Sequence, residues 1–227
     1  MHSFAHHHKE SGKARSAETQ GIIMNWGWSY DLFVWFFDTV VLRGKLEETR
    51  QKTIDLARLE PGEQVLDVGC GTGTLALKAY AQVGAAGRVC GIDPAPRQIA
   101  RARSKAARSG ASIDFQIGVI ERLPFPNQSF DVVLSTLMMH HLPDDIKRLG
   151  LSEIARVLKS GGRLVIVDFA HPERQHGQSQ KFGAGNAGIQ EMPALVKDAG
   201  FAHVENGELP FPRFMGTGAG FVRAQTS

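Results

Sequence analysis

Three glycines that follow an apolar run mark the first stretch of this sequence that could bind a ligand. The stretch VLDVGCGTG, residues 65–73, predicts a buried strand that ends in a turn containing Gly69, Gly71 and Gly73. Glycine lets a ligand approach the main chain closely, and the N-terminus of the helix that follows offers N–H groups to an anion. Such turns also occur without a ligand, so the glycines alone are a weak signal.

Two acidic residues indicate which ligand the turn could hold. Asp67 lies two residues before Gly69, a spacing that differs from the dinucleotide pattern G-x-G-x-x-G. A carboxylate there would repel a diphosphate but would suit a cationic amino group. The next predicted strand ends in GIDP, where Asp93 is placed to accept hydrogen bonds from ribose hydroxyls. Together the two acids predict a nucleoside that carries an amino-acid arm.

A second group of candidate residues lies in LMMHHLPDD, residues 137–145, and at the end of VIVDF, residues 165–169. His140 and His141 are adjacent, so in most loop conformations only one of them faces a bound substrate. We favour His140 for substrate contact or as a general base, with Asp168 to orient a histidine, and a structural role is the alternative for each of the three. Met138 could line an apolar acceptor pocket, although methionine more often packs in a core.

The alternation of short apolar runs with longer helical patterns predicts how these residues are positioned. Strands are predicted at 65–68, 88–92, 112–117, 130–136 and 163–169, with two weaker ones near 202–206 and 219–224. Helices are predicted at 74–83, 95–109, 144–159 and 189–199. This order is typical of the α/β class, in which a parallel sheet carries helices on both faces. Residues 170–188 are polar and glycine-rich and predict a mobile loop above the carboxyl ends of the strands.

The chain before residue 61 predicts a leader and a helical cap. Residues 1–20 are polar and are expected to be a disordered leader, whose four histidines we do not take as a metal site. Residues 21–60 form the predicted cap or lid, and residues 61–227 the domain proper. Within the cap, Asp31 and Asp38 share a helical face and leave the remaining circumference apolar. That circumference could pack on the core, close over an apolar substrate, lie in a membrane surface or be buried in a homodimer.

The composition is that of one globular domain with a complete core. The chain has 227 residues, 42% of them hydrophobic, and a formal net charge of +3. The basic cluster at 97–108 has no interleaved aromatic residues, so we predict a solvated helix face and no nucleic-acid partner. Cys70 and Cys90 are too few for a disulfide framework and lie in or beside buried strands, which favours a reducing cytoplasm.

Four motifs occur in an order that resembles a known family. VLDVGCGTG, GIDP, ERLPFPNQSFDVVLSTLMMHHLPD and EIARVLKSGGRLVIVDF are similar to the successive motifs of class I S-adenosylmethionine-dependent methyltransferases. The resemblance covers about residues 61–170 and is greatest to the group of ubiquinone/menaquinone C-methyltransferases and small-molecule methyltransferases. It implies a Rossmann-like, mostly parallel sheet of seven strands whose last strand is antiparallel, and S-adenosylmethionine as the cofactor.

The resemblance also implies roles for residues in the glycine turn and after the second strand. Gly69, Cys70 and Gly71 would approach the methionine arm of the cofactor, and Asp67 would hold its ammonium group. Asp93 would accept hydrogen bonds from the ribose hydroxyls.

The adenine would lie among residues of three further segments. Pro94 and Gln98 occupy positions that pack against the ring, although the family more often has an apolar residue where Gln98 stands. Val119 stands where the family usually has an aspartate that accepts from the adenine amino group, so we expect a weakening of about 1 kcal/mol. Ile120 could still donate a backbone N–H, and Ser135 would offer its carbonyl oxygen to the amino group of the cofactor.

The cap would supply the remaining walls. Tyr30 and Asp31 match a pair in an N-terminal segment that folds over the cofactor in related enzymes. Trp26, Trp28 and Phe33 are the candidate walls of an acceptor pocket, together with Met138.

These expectations favour methyl transfer to a small, largely apolar acceptor through oxygen, nitrogen, sulfur or an activated carbon. In-line displacement at a sulfonium needs positioning and a dry pocket and no nucleophilic side chain, whereas the need for a base depends on the acceptor. Methylation of a lipid head group at a membrane surface is the alternative suggested by residues 22–41 and 97–108. A non-catalytic cofactor-binding module and a dinucleotide-dependent oxidoreductase are the alternatives from other classes.

Overall fold

The computed structural model describes residues 19, 21, 25, 28–40, 43–170, 187–214 and 217–227. Trp26, nearly all of the predicted leader and most of the predicted loop at 170–188 lie outside these residues. The backbone of the first helix is described, but the side chains of Trp28, Tyr30 and Phe33 lie outside the described part.

Seven strands form one sheet in the order β3-β2-β1-β4-β5-β7-β6. The strands are β1 Gln64–Val68, β2 Arg88–Asp93, β3 Ile113–Ile117, β4 Phe130–Thr136, β5 Leu158–Phe169, β6 Ala202–Phe214 and β7 Thr217–Gln225. Strands β1 to β5 are parallel to one another, and β7 is antiparallel to both β5 and β6. The predicted α/β sheet, mostly parallel with an antiparallel last strand, is therefore confirmed.

Helices cover both faces of this sheet. They are α1 Trp28–Val40, α2 Lys45–Ala57, α3 Thr74–Val83, α4 Pro96–Ser109, α5 Asp144–Val157 and α6 Met192–Asp198, with a short 3-10 turn at Met139–His141. The pleat of β1 directs Leu66 and Val68 into the cluster shared with α5 and α6, and Val65 into the cluster shared with α2, α3 and α4. None of the described helices is long and apolar enough to cross a membrane.

Two element boundaries differ from the sequence prediction. Helix α5 ends at Val157, and β5 begins at once with Leu158, which pairs with Phe130 before the register shifts. Gly161 and Gly162, which lie between the predicted helix at 144–159 and the predicted strand at 163–169, are therefore part of an irregular strand. The two weak strands at the C-terminus are also longer than predicted, because they pair with each other as a hairpin.

The first helix is oriented by its two aspartates. The Asp38 carboxylate accepts the backbone N–H groups of Leu46 at 2.9 Å and Glu47 at 3.2 Å, and so caps the start of α2. Asp31 points to the same side and contacts the glycine turn. The opposite face remains uncovered by the described residues: Leu32, Trp35, Phe36 and Val40 are each 55–63% exposed. These four side chains therefore do not pack on the described part of the core, and which surface they meet stays a prediction.

Candidate active site

A cavity opens where β1, β2 and β4 end, with α2 and the turn after β4 as its further walls. The predicted site residues that line it are Asp67, Gly69, Cys70, Gly71, Asp93, Pro94, Gln98, Val119, Ile120, Met138 and His141. Parallel strands bring these residues together because their carboxyl ends meet at one edge of the sheet.

The glycine turn is held by the end of β2. The N–H groups of Gly69 and Cys70 both donate to the Ile92 carbonyl oxygen at 2.9 Å, and the Gly71 N–H donates to Asp93 Oδ2 at 3.0 Å. Asp93 Oδ1 in turn accepts the N–H of Ala95 at 2.9 Å. Burial raises the pKa of Asp93 to about 6, although these two N–H groups act in the opposite direction.

The three glycines have different neighbours. A Cβ at Gly69 would lie 2.3 Å from Met138 Cγ, and one at Gly73 would lie 2.7 Å from the Phe115 ring. At both positions the atoms that leave no room for a side chain therefore belong to the protein and not to a ligand. A Cβ at Gly71 would meet no atom of the described residues within 4 Å, so among them Gly71 is where the backbone borders open space. All three residues have φ between +52° and +76°.

Asp67 is the most unusual charged group of the cavity. It is 2% exposed, and its Oδ2 has no hydrogen-bond partner among the described residues. Burial raises the pKa of Asp67 to about 7, against the opposing effects of the Ala76 backbone N–H and the positive charge of Arg50. A buried carboxylate with an unpaired oxygen favours a cationic ligand group, which would complete its hydrogen bonds.

Arg50 lines the cavity from α2 and is a site residue that the sequence analysis missed. Its side chain is 19% exposed and makes a long 3.4 Å contact with Glu47, which also pairs with Lys78 at 2.7 Å. The signal lay in helical spacing, since Arg50 is one turn before the buried Ile54 and so faces the domain.

The histidine pair divides between the cavity wall and a neighbouring dyad. His141 lines the cavity, and burial lowers its pKa to about 4, with the adjacent His140 contributing. His140 does not line the cavity; its Nδ1 lies 2.6 Å from Asp168 Oδ1, and its ring centroid lies 3.9 Å from that of His141. The structure thus brings His140 and Asp168 into direct contact beside the cavity.

Ser135 does not line the cavity. It is fully buried within β4, whose predicted bounds of 130–136 agree with the structure, and the cavity wall at this point is formed by Thr136 and Leu137. The contact proposed for the Ser135 carbonyl oxygen stays a prediction.

A polar network ties α1 to the glycine turn. Asp31 Oδ1 accepts a hydrogen bond from Thr72 Oγ1 at 2.5 Å, and Asp31 Oδ2 accepts one from Arg101 Nε at 2.5 Å. Lys105 lies 3.6 Å from the same carboxylate and donates to Thr74 Oγ1 at 2.7 Å. Burial acts to raise the pKa of Asp31, but these partners lower it below its usual value, so it is ionised at neutral pH.

Comparison with known proteins shows which proteins the chain resembles. Residues 65–162 match the family model of a methyltransferase domain. A demethylmenaquinone methyltransferase from Symbiobacterium thermophilum is 36% identical over 135 residues, which are 59% of this chain and 53% of that protein. The chain therefore contains a region similar to methyltransferase domains.

Two further comparisons show what else the chain is similar to. An arsenite methyltransferase from Halobacterium salinarum is 33% identical over 157 residues, covering 66% of this chain and 40% of that protein. The crystal structure of a SAM dependent methyltransferase from Aquifex aeolicus has a TM-score of 0.63 at 22% identity, over 78% of this chain and 89% of that one. The chain spans about half the length of the curated relatives that it matches.

The cavity residues fit S-adenosylmethionine. The unpaired oxygen of Asp67 suits the ammonium group of the methionine arm, and the Arg50 guanidinium, which lines the same cavity, suits its carboxylate. Asp93 keeps lone pairs for the ribose hydroxyls after accepting its two N–H groups. The cofactor would thus extend from Arg50 on α2 across the end of β1 to the end of β2.

Proposed function

We propose that this protein transfers the methyl group of S-adenosylmethionine to a small, largely apolar acceptor. The observation that carries the proposal is the pair of opposite charges, buried Asp67 and half-buried Arg50, on the walls of one cavity. An amino acid is a zwitterion, so this pair of charges complements it, whereas the Asp67 carboxylate would repel a diphosphate at close range. The bound cofactor supplies an electrophilic methyl group on a sulfonium.

The chain's own residues position the acceptor and handle its proton. Met138 and the neutral His141 lie on the wall of the cavity beyond the glycine turn and would contact the acceptor. His140, held by Asp168, would accept the proton of an acceptor hydroxyl or acidic carbon at Nε2. Tyr30, Trp26, Trp28 and Phe33 remain candidates for closing the pocket from the N-terminal cap.

The chemistry of the cavity favours an organic acceptor over arsenite. As(III) is a soft ion that prefers thiolate ligands. This chain has two cysteines, and burial raises the pKa of Cys90 to about 11 and that of Cys70 well above its usual value. Both thiols are therefore protonated at neutral pH, and neither is suited to capture the metalloid. A quinol of the kind named in the demethylmenaquinone relatives is the class of acceptor that we propose.

The test is methyl transfer from labelled S-adenosylmethionine to a panel of acceptors of graded polarity, including short-chain naphthoquinols, phenols, amines, thiols and arsenite. We expect labelled product with an apolar hydroxyl or carbon acceptor and S-adenosylhomocysteine in equal amount. An Arg50→Met variant should need at least about tenfold more cofactor for half-maximal rate, because it loses a charge-assisted contact. Product from arsenite alone, or tight binding of NAD without binding of S-adenosylmethionine, would contradict the proposal.

We propose that the protein lies in the cytoplasm and that the exposed face of α1 binds a membrane surface. Four apolar side chains on that face are more than half exposed, and an apolar acceptor would dissolve in the same membrane. In a flotation assay the protein should rise with anionic vesicles. The double variant Trp35→Ser/Phe36→Ser should stay unbound. Sedimentation of the protein alone as a homodimer that the same double substitution dissociates would instead assign the face to a second copy.

A further inference from the structure

Gln98 is a buried amide to which the fold gives no partner. It lies in the first turn of α4, its side chain is 3% exposed, and Oε1 has no hydrogen-bond partner among the described residues. Burying an amide oxygen without a partner costs free energy, so such groups are rare in folded proteins. Because Gln98 lines the cavity, a bound ligand is the natural source of the missing partner.

Apolar side chains that could pack on a flat ring line the same cavity as Gln98. They are Pro94, Val119, Ile120 and Leu142, and the last three are less than 10% exposed. Asp93, whose carboxylate is placed for ribose hydroxyls, also lines this cavity. A base attached to that ribose would therefore pack against apolar side chains and come within reach of the carboxamide.

We propose that the Gln98 carboxamide forms hydrogen bonds with the amino edge of the adenine. It would take the place of the aspartate that the family usually has where Val119 stands. A carboxamide presents an acceptor and a donor side by side, and adenine presents its 6-amino donor beside a ring-nitrogen acceptor, so the two can form a bidentate pair. Val119 is apolar and cannot make this contact. The inference rests on the proposed function, because it requires an adenosine cofactor.

Glu121 is the competing residue on the same side of the cavity. Its Oε2 is also buried and has no partner among the residues that the structure describes. An ionised carboxylate only accepts hydrogen bonds, so it could receive the 6-amino group but could not donate to a ring nitrogen. An experiment must therefore separate the two side chains.

The test compares two ligands on the full chain by isothermal titration. One ligand is S-adenosylhomocysteine, and the other carries hydrogen in place of the 6-amino group of the purine. Wild-type protein should bind the second ligand about five- to tenfold more weakly, the loss expected for one hydrogen bond. Gln98→Met keeps the length of the side chain and should bind both ligands equally. Gln98→Glu keeps an acceptor and should preserve the preference for the amino group.

Two controls make the comparison specific. Gln51→Met replaces an exposed glutamine on α2 that does not line the cavity, and it should leave the preference at its wild-type value. Thermal unfolding of each variant confirms that it is folded before titration. The proposal is overturned if Gln98→Met retains the full preference, and Glu121→Met, which removes the other acceptor, would then be expected to lose it. Failure of the wild-type protein to bind either ligand would instead overturn the proposed function, and this inference with it.

Discussion

His140 and Asp168 form a dyad at the carboxyl end of the sheet, with Nδ1 and Oδ1 2.6 Å apart. Asp168 is 1% exposed and also accepts the backbone N–H groups of His140 at 3.1 Å and Phe169 at 2.7 Å. Burial acts to raise the pKa of Asp168, but His140 and these donors together lower it below its usual value. An ionised Asp168 can only accept, so it fixes the proton of His140 on Nδ1 and leaves Nε2 as the basic nitrogen.

The dyad predicts that His140 and Asp168 act as one unit. In Asp168→Asn the side-chain NH2 can donate to His140 Nδ1 and so favours the tautomer with its proton on Nε2. His140→Gln removes the base. Each should lower turnover of a hydroxyl or carbon acceptor by about a hundredfold. The affinity for S-adenosylhomocysteine should be unchanged, because neither residue lines the cofactor cavity.

The double variant distinguishes a functional dyad from two separate effects. If the residues act together, it should be no slower than the slower single variant. His203→Gln, at an exposed histidine on β6, is the matched control and should turn over at the wild-type rate. Multiplicative losses, or normal turnover in His140→Gln, would return the pair to a structural role.

Asp67 predicts that cofactor binding strengthens with pH up to about 7. Its pKa is about 7 in the protein without ligand, and pairing with the ligand's ammonium group would lower it, so binding releases a proton below that pH. The Kd for S-adenosylhomocysteine should be about tenfold higher at pH 6 than at pH 8, as one protonation with this pKa requires. Titration in buffers of different ionisation enthalpy measures the released proton. Asp67→Asn should bind weakly at both pH values, and a pH dependence that survives this substitution would assign the proton to Asp93.

The central sheet and the glycine turn were predictable from the sequence because local patterns determine them. Short apolar runs and Gly-rich strand ends are local features of the sequence, and parallel strands must bring their carboxyl ends together. Asp67 and Asp93 follow directly from this register, and the structure places both on the cavity.

Features that depend on contacts between distant segments were not predictable. Arg50 reaches the cavity only because α2 packs against the sheet, and no motif marks it. The reason for Gly69 is the position of Met138, almost seventy residues away in the chain. The orientation of α1 follows from the partners of Asp31 on two other elements, and an apolar circumference alone suggested the opposite face.

The contacts of Asp31 predict that the stability of α1 depends on its link to the glycine turn. Asp31→Asn keeps the shape but removes the charge that pairs with Arg101 and Lys105, so it should speed amide hydrogen exchange in residues 28–40 while β1 and β4 remain protected. Because the pKa of Asp31 is lowered in the folded state, the contact is present above about pH 4 and is lost as pH falls through the folded-state pKa. Asp55→Asn, at an exposed acid on α2, is the control. Equal exchange in the Asp31 and Asp55 variants would show that α1 is held by other contacts.

The glycine turn offers a test of which glycine serves the fold and which borders the ligand. Gly69→Ala combines a φ of +73° with a Cβ 2.3 Å from Met138 Cγ, so it should lower the free energy of unfolding by about 2–4 kcal/mol. Urea denaturation measures the loss. Met138→Ala in the same chain removes the overlap with Cγ but leaves a Cβ at 2.9 Å and the strained φ. The double variant should therefore be more stable than the sum of the single effects predicts.

Gly71→Ala should behave differently at the same turn. Its φ of +52° adds strain of about 1–2 kcal/mol, but its Cβ would meet no protein atom within 4 Å. The new methyl group would project into the space that the cofactor needs, so the affinity for S-adenosylhomocysteine should fall by more than tenfold while the fold persists. Met138→Ala should not restore that affinity, since the two side chains do not meet. If Gly71→Ala bound the ligand normally, the methionine arm would have to lie elsewhere in the cavity.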